Sequence, residues 1–223
     1  MKKRHWIVLL LLAVTAAAVT IGIYLTTRDE PADPIEYDTA NVATIVDEVL
    51  LEMANSSLGE GIAVNEEGTG LVIDEELVEN SDAKNLLSVE KAKFRLKVEN
   101  MLFSHELEES EIEQMAEESV SNLIEALEKS SSLYSLEVYQ DEVTEYINEN
   151  VASVEVEDKQ IYADALGISV DALDYYFDRD FYVMDVLWEK LIPALMEQNP
   201  QGTDETTNDY MQRIKDEFYD ASE

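Results

Sequence analysis

Few residues in this chain offer strong chemistry. Histidine occurs twice, as His5 and His105, and cysteine is absent. Without cysteine there is no disulfide scaffold, no thiolate metal site, no cysteine nucleophile and no lipid-modified cysteine. His105 stands among Ser104, Glu106, Glu108 and Glu109. On a helix it could share a metal with Glu109 at i+4, but one imidazole and exposed acids make a weak donor set. A serine–histidine–acid triad would have to use His105, and no serine sits on a strand-to-helix elbow. Carboxylates are so common that no pair is singled out as the acid and base of a glycosidase. No segment has the spacing of an EF-hand loop. Gly59, Gly61, Gly68 and Gly70 fall close together, but no Gly-Lys-Ser/Thr follows, and Glu60, Glu66 and Glu67 would repel phosphate. These readings point away from an enzyme and call for no cofactor and no metal.

Binding chemistry is better supplied. Tyr175, Tyr176, Phe177, Phe181, Tyr182, Met184 and Trp188 crowd one stretch. Much of this set is core, yet it is wider than one packed helix face requires. Tyr175, Tyr176, Phe181, Tyr182 and Trp188 are the candidates to line a groove for apolar segments of other polypeptides.

The elements that would position them are mostly helical. Val42, Ile45, Val46, Val49, Leu50 and Met53 recur at helical spacing. Ile62–Val64 and Leu71–Ile73 are short β-type runs around Asn65-Glu66-Glu67-Gly68, which suggests a small hairpin. Ser88 opens a helix that carries Lys91, Lys93, Arg95 and Lys97 beside apolar Phe94, Val98, Met101 and Leu102. Ser110 with Glu113 predicts a capping box for a helix along Ile112, Ala116, Val120 and Leu127, ended by Ser130-Ser131-Ser132. A helix is expected over 140–150. Gly167 then breaks the chain, and Ser169 caps a long helix with the stripe Leu173, Phe177, Phe181, Met184, Trp188, Leu191 and Leu195. Pro193 is expected to kink it. Asn199-Pro200-Gln201-Gly202 forms a turn, and Thr203 or Asp204 caps a last helix carrying Tyr210, Met211, Ile214 and Phe218.

Topology follows from the start of the chain. Lys2, Lys3, Arg4 and His5 precede an apolar run from Trp6 to Leu25, about 20 residues, the length of a membrane-spanning helix. The positive flank stays inside, so the rest faces out. Small residues at Ala16–Ala18 allow cleavage as a secretory signal, and continuation of the run past them favours an uncleaved anchor. All 50 acidic residues follow Arg28, where 11 basic residues remain, a formal charge of −39. Such a surface repels nucleic acid and anionic lipid; it reads first as a solvated surface suited to a salty or alkaline exterior, with attraction of cationic partners or loosely held divalent ions as the alternative.

The stretch 136–195 resembles the helical domain of SurA/PrsA-type extracytoplasmic folding factors. The resemblance rests on Val138-Tyr139-Gln140-Asp141-Glu142-Val143 followed by Glu145-Tyr146-Ile147, then Leu166-Gly167-Ile168-Ser169, Asp174-Tyr175-Tyr176, and the leucines 187, 191 and 195. Ala63-Val64-Asn65 and Ile73-Asp74-Glu75-Glu76-Leu77 are similar to the family's opening hairpin and first helix. Tyr139 stands where the family has a capping Ser or Thr, and Glu66 where it has glycine. Nothing supplies the parvulin-type prolyl isomerase domain, so the resemblance implies the chaperone-like module without isomerase activity.

The expected architecture is a mainly α protein. An anchor spans 1–28, an acidic linker 29–41 and an irregular helical domain 42–198, with a C-terminal helix in 199–223 packed on that domain or extending from it. The expected role is an extracytoplasmic module binding exported or unfolded polypeptides; the alternative is an adaptor for one cell-envelope protein.

Overall fold

The computed structural model describes residues 39–74, 81–154 and 157–220. The expected anchor in 1–28 lies outside them, as does most of the acidic linker and the stretch from Glu75 that would begin the family's first helix. Among the described residues no helix is long and apolar enough to cross a membrane. They form eight helices and one small sheet.

Helix α1 (Thr39–Glu52) begins three residues before Val42 and turns Val46, Val49 and Leu50 inward. Strands β1 (Ser57–Gly59), β2 (Ile62–Val64) and β3 (Leu71–Ile73) form an antiparallel sheet in that order. The expected hairpin is β2–β3, with Ala63 opposite Val72. Its turn closes through Gly68 N–H donating to the Asn65 carbonyl at 3.1 Å. Gly68 has φ +66°, and a Cβ there would stand 2.7 Å from the Leu51 Cα. Both the left-handed backbone and the close approach to α1 require glycine. Gly68→Ala should therefore lower stability by about 2–3 kcal/mol, read from denaturant midpoints. An unchanged midpoint would show that the turn can lift off α1 freely.

A short 3₁₀ turn (Ala83–Leu86) leads into α2 (Val89–Phe103). Ser88 caps α2, its Oγ accepting from Lys91 N–H at 3.3 Å. Helix α3 (Glu109–Tyr134) starts two residues before the expected box: the Glu111 carboxylate accepts the Glu108 N–H at 2.9 Å. The serine triplet does not end it. Ser130 and Ser132 turn their hydroxyls back onto the carbonyls of Ala126 and Lys129, so the triplet stays helical. The stop comes at Ser135, in the left-handed region at φ 56°.

Helix α4 (Gln140–Asn150) has the bounds expected of it, and α5 (Glu157–Leu166) precedes the Gly167 break. Beyond Ser169 the expectation of one long helix fails. A three-residue helix α6 (Val170–Ala172) gives way to a π turn at Leu173–Phe177 and a 3₁₀ turn at Arg179–Phe181. Regular geometry resumes in α7 (Tyr182–Gln198), which runs through Pro193. The last helix, α8 (Thr207–Asp220), is capped by Thr206, whose Oγ1 accepts from Asp209 N–H at 3.2 Å, and not by Thr203 or Asp204. It packs on the body through Tyr210, Ile214 and Phe218.

Three apolar clusters hold these parts. One joins α1, the sheet, α5 and the π turn around Leu50, Leu58, Phe94, Leu166 and Phe177. A second joins α4, α7 and α8 around Ile147, Leu187, Leu191, Ile214 and Phe218. The third is the α2–α3 seam, with Ala92, Leu96, Ile112, Ala116 and Val120. Helix α2 serves the first and third clusters from different faces, so very little of it reaches water. That placement buries its charges.

Candidate functional site

The basic residues of α2 form the electrostatic centre of the molecule. Lys91 and Arg95 are one helical turn apart and almost fully buried. The irregular segment 173–181 meets them. Arg95 donates to Asp180 through Nη1 at 2.6 Å and Nη2 at 2.9 Å, a bidentate fork. Its Nη2 also reaches the Phe177 carbonyl at 2.7 Å and Asp178 Oδ1 at 3.0 Å. Lys91 Nζ adds a third bond to Asp180, at 3.0 Å. The guanidinium lies over the Phe181 ring, 3.8 Å from its centre.

This geometry explains the broken helix. In a continuous α-helix, residues two apart point about 200° away from each other, so Asp178 and Asp180 could not share one partner. The wide π turn, closed by Asp178 N–H to the Leu173 carbonyl at 2.8 Å, followed by the tight 3₁₀ turn, aims both acids at Arg95. The segment is pinned at two further points. Lys159 of α5 holds Asp174 at 2.7 Å, and Arg179 reaches the Gln140 side-chain carbonyl and Thr144 Oγ1 of α4. Segment 173–181 thus ties α2, α4 and α5 together.

The two carboxyls are shifted in opposite directions. Burial would raise the Asp180 carboxyl, but Arg95 and Lys91 outweigh it and hold it down at about 2. At Asp178 burial prevails over Arg95, and its carboxyl is pushed up to about 6. Opposed carboxylates are what an acid–base pair needs. Here, however, both oxygens of Asp180 are occupied by Arg95 and Lys91, and Asp178 faces the same guanidinium. The cleft beside them, walled by Leu87, Val120, Leu123, Phe181 and Met184, has a free volume of about 30 Å³, room for a water or two and no more. The arrangement is a clamp.

A second cationic bridge runs across the surface of α2. Lys97 Nζ holds Glu52 of α1 and Glu109 of α3, each at 2.6 Å, and Lys93 also pairs with Glu109 at 3.1 Å. Glu109, the acid one turn from His105, is thereby committed to lysines. The carboxylate facing His105 is Glu99, 3.9 Å from Nε2. Burial pushes Glu99 up to about 7. Among the described residues no group of three or more His, Asp or Glu could hold a metal ion.

The five aromatic candidates divide between two apolar clusters and the Arg95 clamp. Tyr176 packs on the first cluster, while Tyr175, Tyr182 and Trp188 pack on the second. Phe181 stacks under Arg95. Tyr175 donates its hydroxyl to Asn148, and the Tyr182 ring lies 6.0 Å from Tyr146. Trp188 joins a group of rings that includes exposed Tyr219. Its ring contacts Phe218 at 5.6 Å and Tyr219 at 6.0 Å, and Tyr134 closes the group 6.2 Å from Phe218. Tyr219 is 54% exposed and neighbouring Leu133 40%.

Sequence reasoning did not single out Lys91, Arg95, Asp178 and Asp180 as one cluster. One signal pointed to them: four basic residues at alternate positions on one helix of an otherwise acidic chain. No family model matches the chain, and neither a curated protein nor a solved structure matches it significantly.

Proposed function

We propose that this protein is a non-enzymatic polypeptide-binding module, held at the outer face of a membrane by residues 6–25, that engages exported polypeptides before they fold. The observation that carries the reading is the aromatic edge where Trp188 and exposed Tyr219 meet over buried Phe218, with Tyr134 against the same ring, set on a strongly acidic body. Amphipathic rings give contact area at little entropic cost, and the surrounding acids favour segments with basic flanks. The resemblance of 136–195 to SurA/PrsA-type folding factors supports the same role. So does the clamp at Arg95, which commits Asp178 and Asp180 to holding the body rigid.

The test is aggregation of a denatured client in the presence of the full chain in detergent micelles. The chain should delay aggregation at near-equimolar ratio, and Tyr219→Ala, at an exposed ring, should weaken the delay several-fold with the fold intact. No delay at any stoichiometry would overturn the proposal. A second reading is an adaptor for one envelope protein, using the same acidic surface and the partly buried rings of Tyr175, Tyr176 and Tyr182 against one fixed partner. Affinity capture from intact membranes separates the two: one stoichiometric partner marks the adaptor, many substoichiometric ones the folding factor.

A further inference from the structure

Helix α8 differs from the rest of the body in how it is attached. The body is locked by buried ion pairs that cross between helices, Lys91 and Arg95 with Asp180, and Lys159 with Asp174. Among the described residues, α8 makes no ion pair with any other helix. Its Arg213 pairs with Glu205 at 2.8 Å in the linker before it and with Glu217 at 2.9 Å on α8 itself. That linker, 199–206, is mostly exposed and contains Pro200 and Gly202. What holds α8 to the body is one apolar seam, Tyr210, Ile214 and Phe218 at i, i+4 and i+8, the ring contacts of Trp188, Lys215 over the Trp188 ring at 5.1 Å, and one cation from α3, Lys129.

The floor on which α8 lies is made for a helix. Leu187, Leu191 and Leu195 of α7 are at most 1% exposed, and Trp188 and Tyr134 form its rim. At one end stands Lys129, itself 6% exposed, whose Nζ donates to the Tyr219 carbonyl at 2.8 Å. A cation placed on a carbonyl in the last turn of a helix recognises a helix C-terminus through its backbone, whatever the side chains. The same ammonium lies 5.5 Å from the centre of the Phe218 ring. Nothing in this floor requires the occupant to be covalently attached.

We infer that the α7–α3 floor is a helix-docking groove, filled in cis by α8, and that a partner polypeptide enters it as an amphipathic helix when α8 lifts. The partner presents aromatic, aliphatic and aromatic side chains at i, i+4 and i+8, and ends its helix against Lys129. This inference rests on the polypeptide-binding reading and deepens it. The exposed aromatic edge is the rim of a larger site, and α8 is the resident competitor. A tethered helix competes at an effective concentration of about millimolar, so only a partner with a matching seam displaces it. The acidic face of α8 and the charge of the whole body favour partners with basic flanks.

The experiment uses the full chain in micelles with Trp6→Phe, which leaves Trp188 as the sole indole. The probe is a synthetic peptide of residues 203–220, with a scrambled peptide of the same composition as control. Ile214→Asp should free α8, move Trp188 emission to the red, and raise affinity for the probe at least about tenfold over the parent chain by removing the tethered competitor. The scrambled peptide should not bind. Hydrogen exchange on the unmutated chain should show α8 amides opening while α7 and α4 stay protected.

Exchange of α8 and α7 together at the global rate would overturn the inference even if Ile214→Asp fails to fold. So would a red shift without probe binding. A chain that dimerises by swapping α8 would put a second copy in the groove and overturn the assignment of a partner. Loss of client protection with intact probe binding would strike the proposed function and leave the groove standing.

Discussion

Arg95→Met should lower unfolding free energy by about 3–5 kcal/mol, the cost of leaving buried charge without its partner. For a body of this size that is a fall in melting temperature of about 10 °C or more. The reason is the number of groups that depend on one guanidinium: two carboxylates, one backbone carbonyl and the ring of Phe181. Arg95→Lys should recover only part of the loss, since a point charge cannot hold Asp180 through two parallel bonds while reaching Phe177 and Asp178. The sharper contrast is between the aspartates. Asp180 receives three bonds from two cations, so Asp180→Asn should cost nearly as much as losing Arg95. Asp178 receives one, and burial already opposes its ionisation, so Asp178→Asn should cost less than about 1 kcal/mol at pH 7.5 and could stabilise. Denaturant titration of the four variants checks this. Equal losses at Asp178 and Asp180 would mean that segment 173–181 is held by its backbone and not by the clamp.

Legibility followed the range of each signal. Caps and turns are local, and Ser88, Ser169 and the Asn65–Gly68 turn act as their residue types dictate. The 140–150 helix and the β2–β3 hairpin were readable for the same reason. What sequence could not give is the consequence of α2 being enclosed on several faces. Lys91, Lys93, Arg95 and Lys97 stand out in the sequence as a basic cluster, but nothing local says that they are buried, since lysines and arginines are rarely buried unless paired. Arg95 and Asp180 lie 85 positions apart. The break at 173–181 goes with that same pairing: the hydrophobic stripe Leu173–Leu195 is compatible with an unbroken helix, but such a helix could not turn both Asp178 and Asp180 to Arg95. The serine triplet misled for a different reason, its hydroxyls satisfying helical carbonyls from within. The aromatic candidates divide between two clusters, which the spacing could not show: the turn at 173–181 sends Tyr176 toward one and Tyr182 and Trp188 toward another.

Stability should be greatest near pH 5 and fall on both sides. In the folded chain Asp178 and Glu99 are raised by burial, to about 6 and about 7, from ordinary values of about 3.8 and 4.5. Between pH 4 and 7 the native state therefore binds more protons than the unfolded chain, and the slope of unfolding free energy against pH is negative. Going from pH 5 to 8 should cost on the order of a few kcal/mol. Asp180 acts in the opposite sense. Its folded value of about 2 lies below the ordinary 3.8, so its contribution is complete above pH 4 and is lost as pH falls toward 2. Repulsion among the acids, with a formal charge of −35 at pH 7, slopes the same way as Asp178 and Glu99. Salt separates the two causes, because 1 M salt screens surface charge over about 3 Å and leaves buried groups largely unscreened. Thermal melts across pH should keep a negative slope from 5 to 8 in high salt. Glu99→Gln should flatten that limb, and Asp180→Asn should flatten the acid limb below pH 4. A slope that disappears in salt, or that Glu99→Gln leaves unchanged, would assign the pH response to the surface and remove the buried carboxylates from the account.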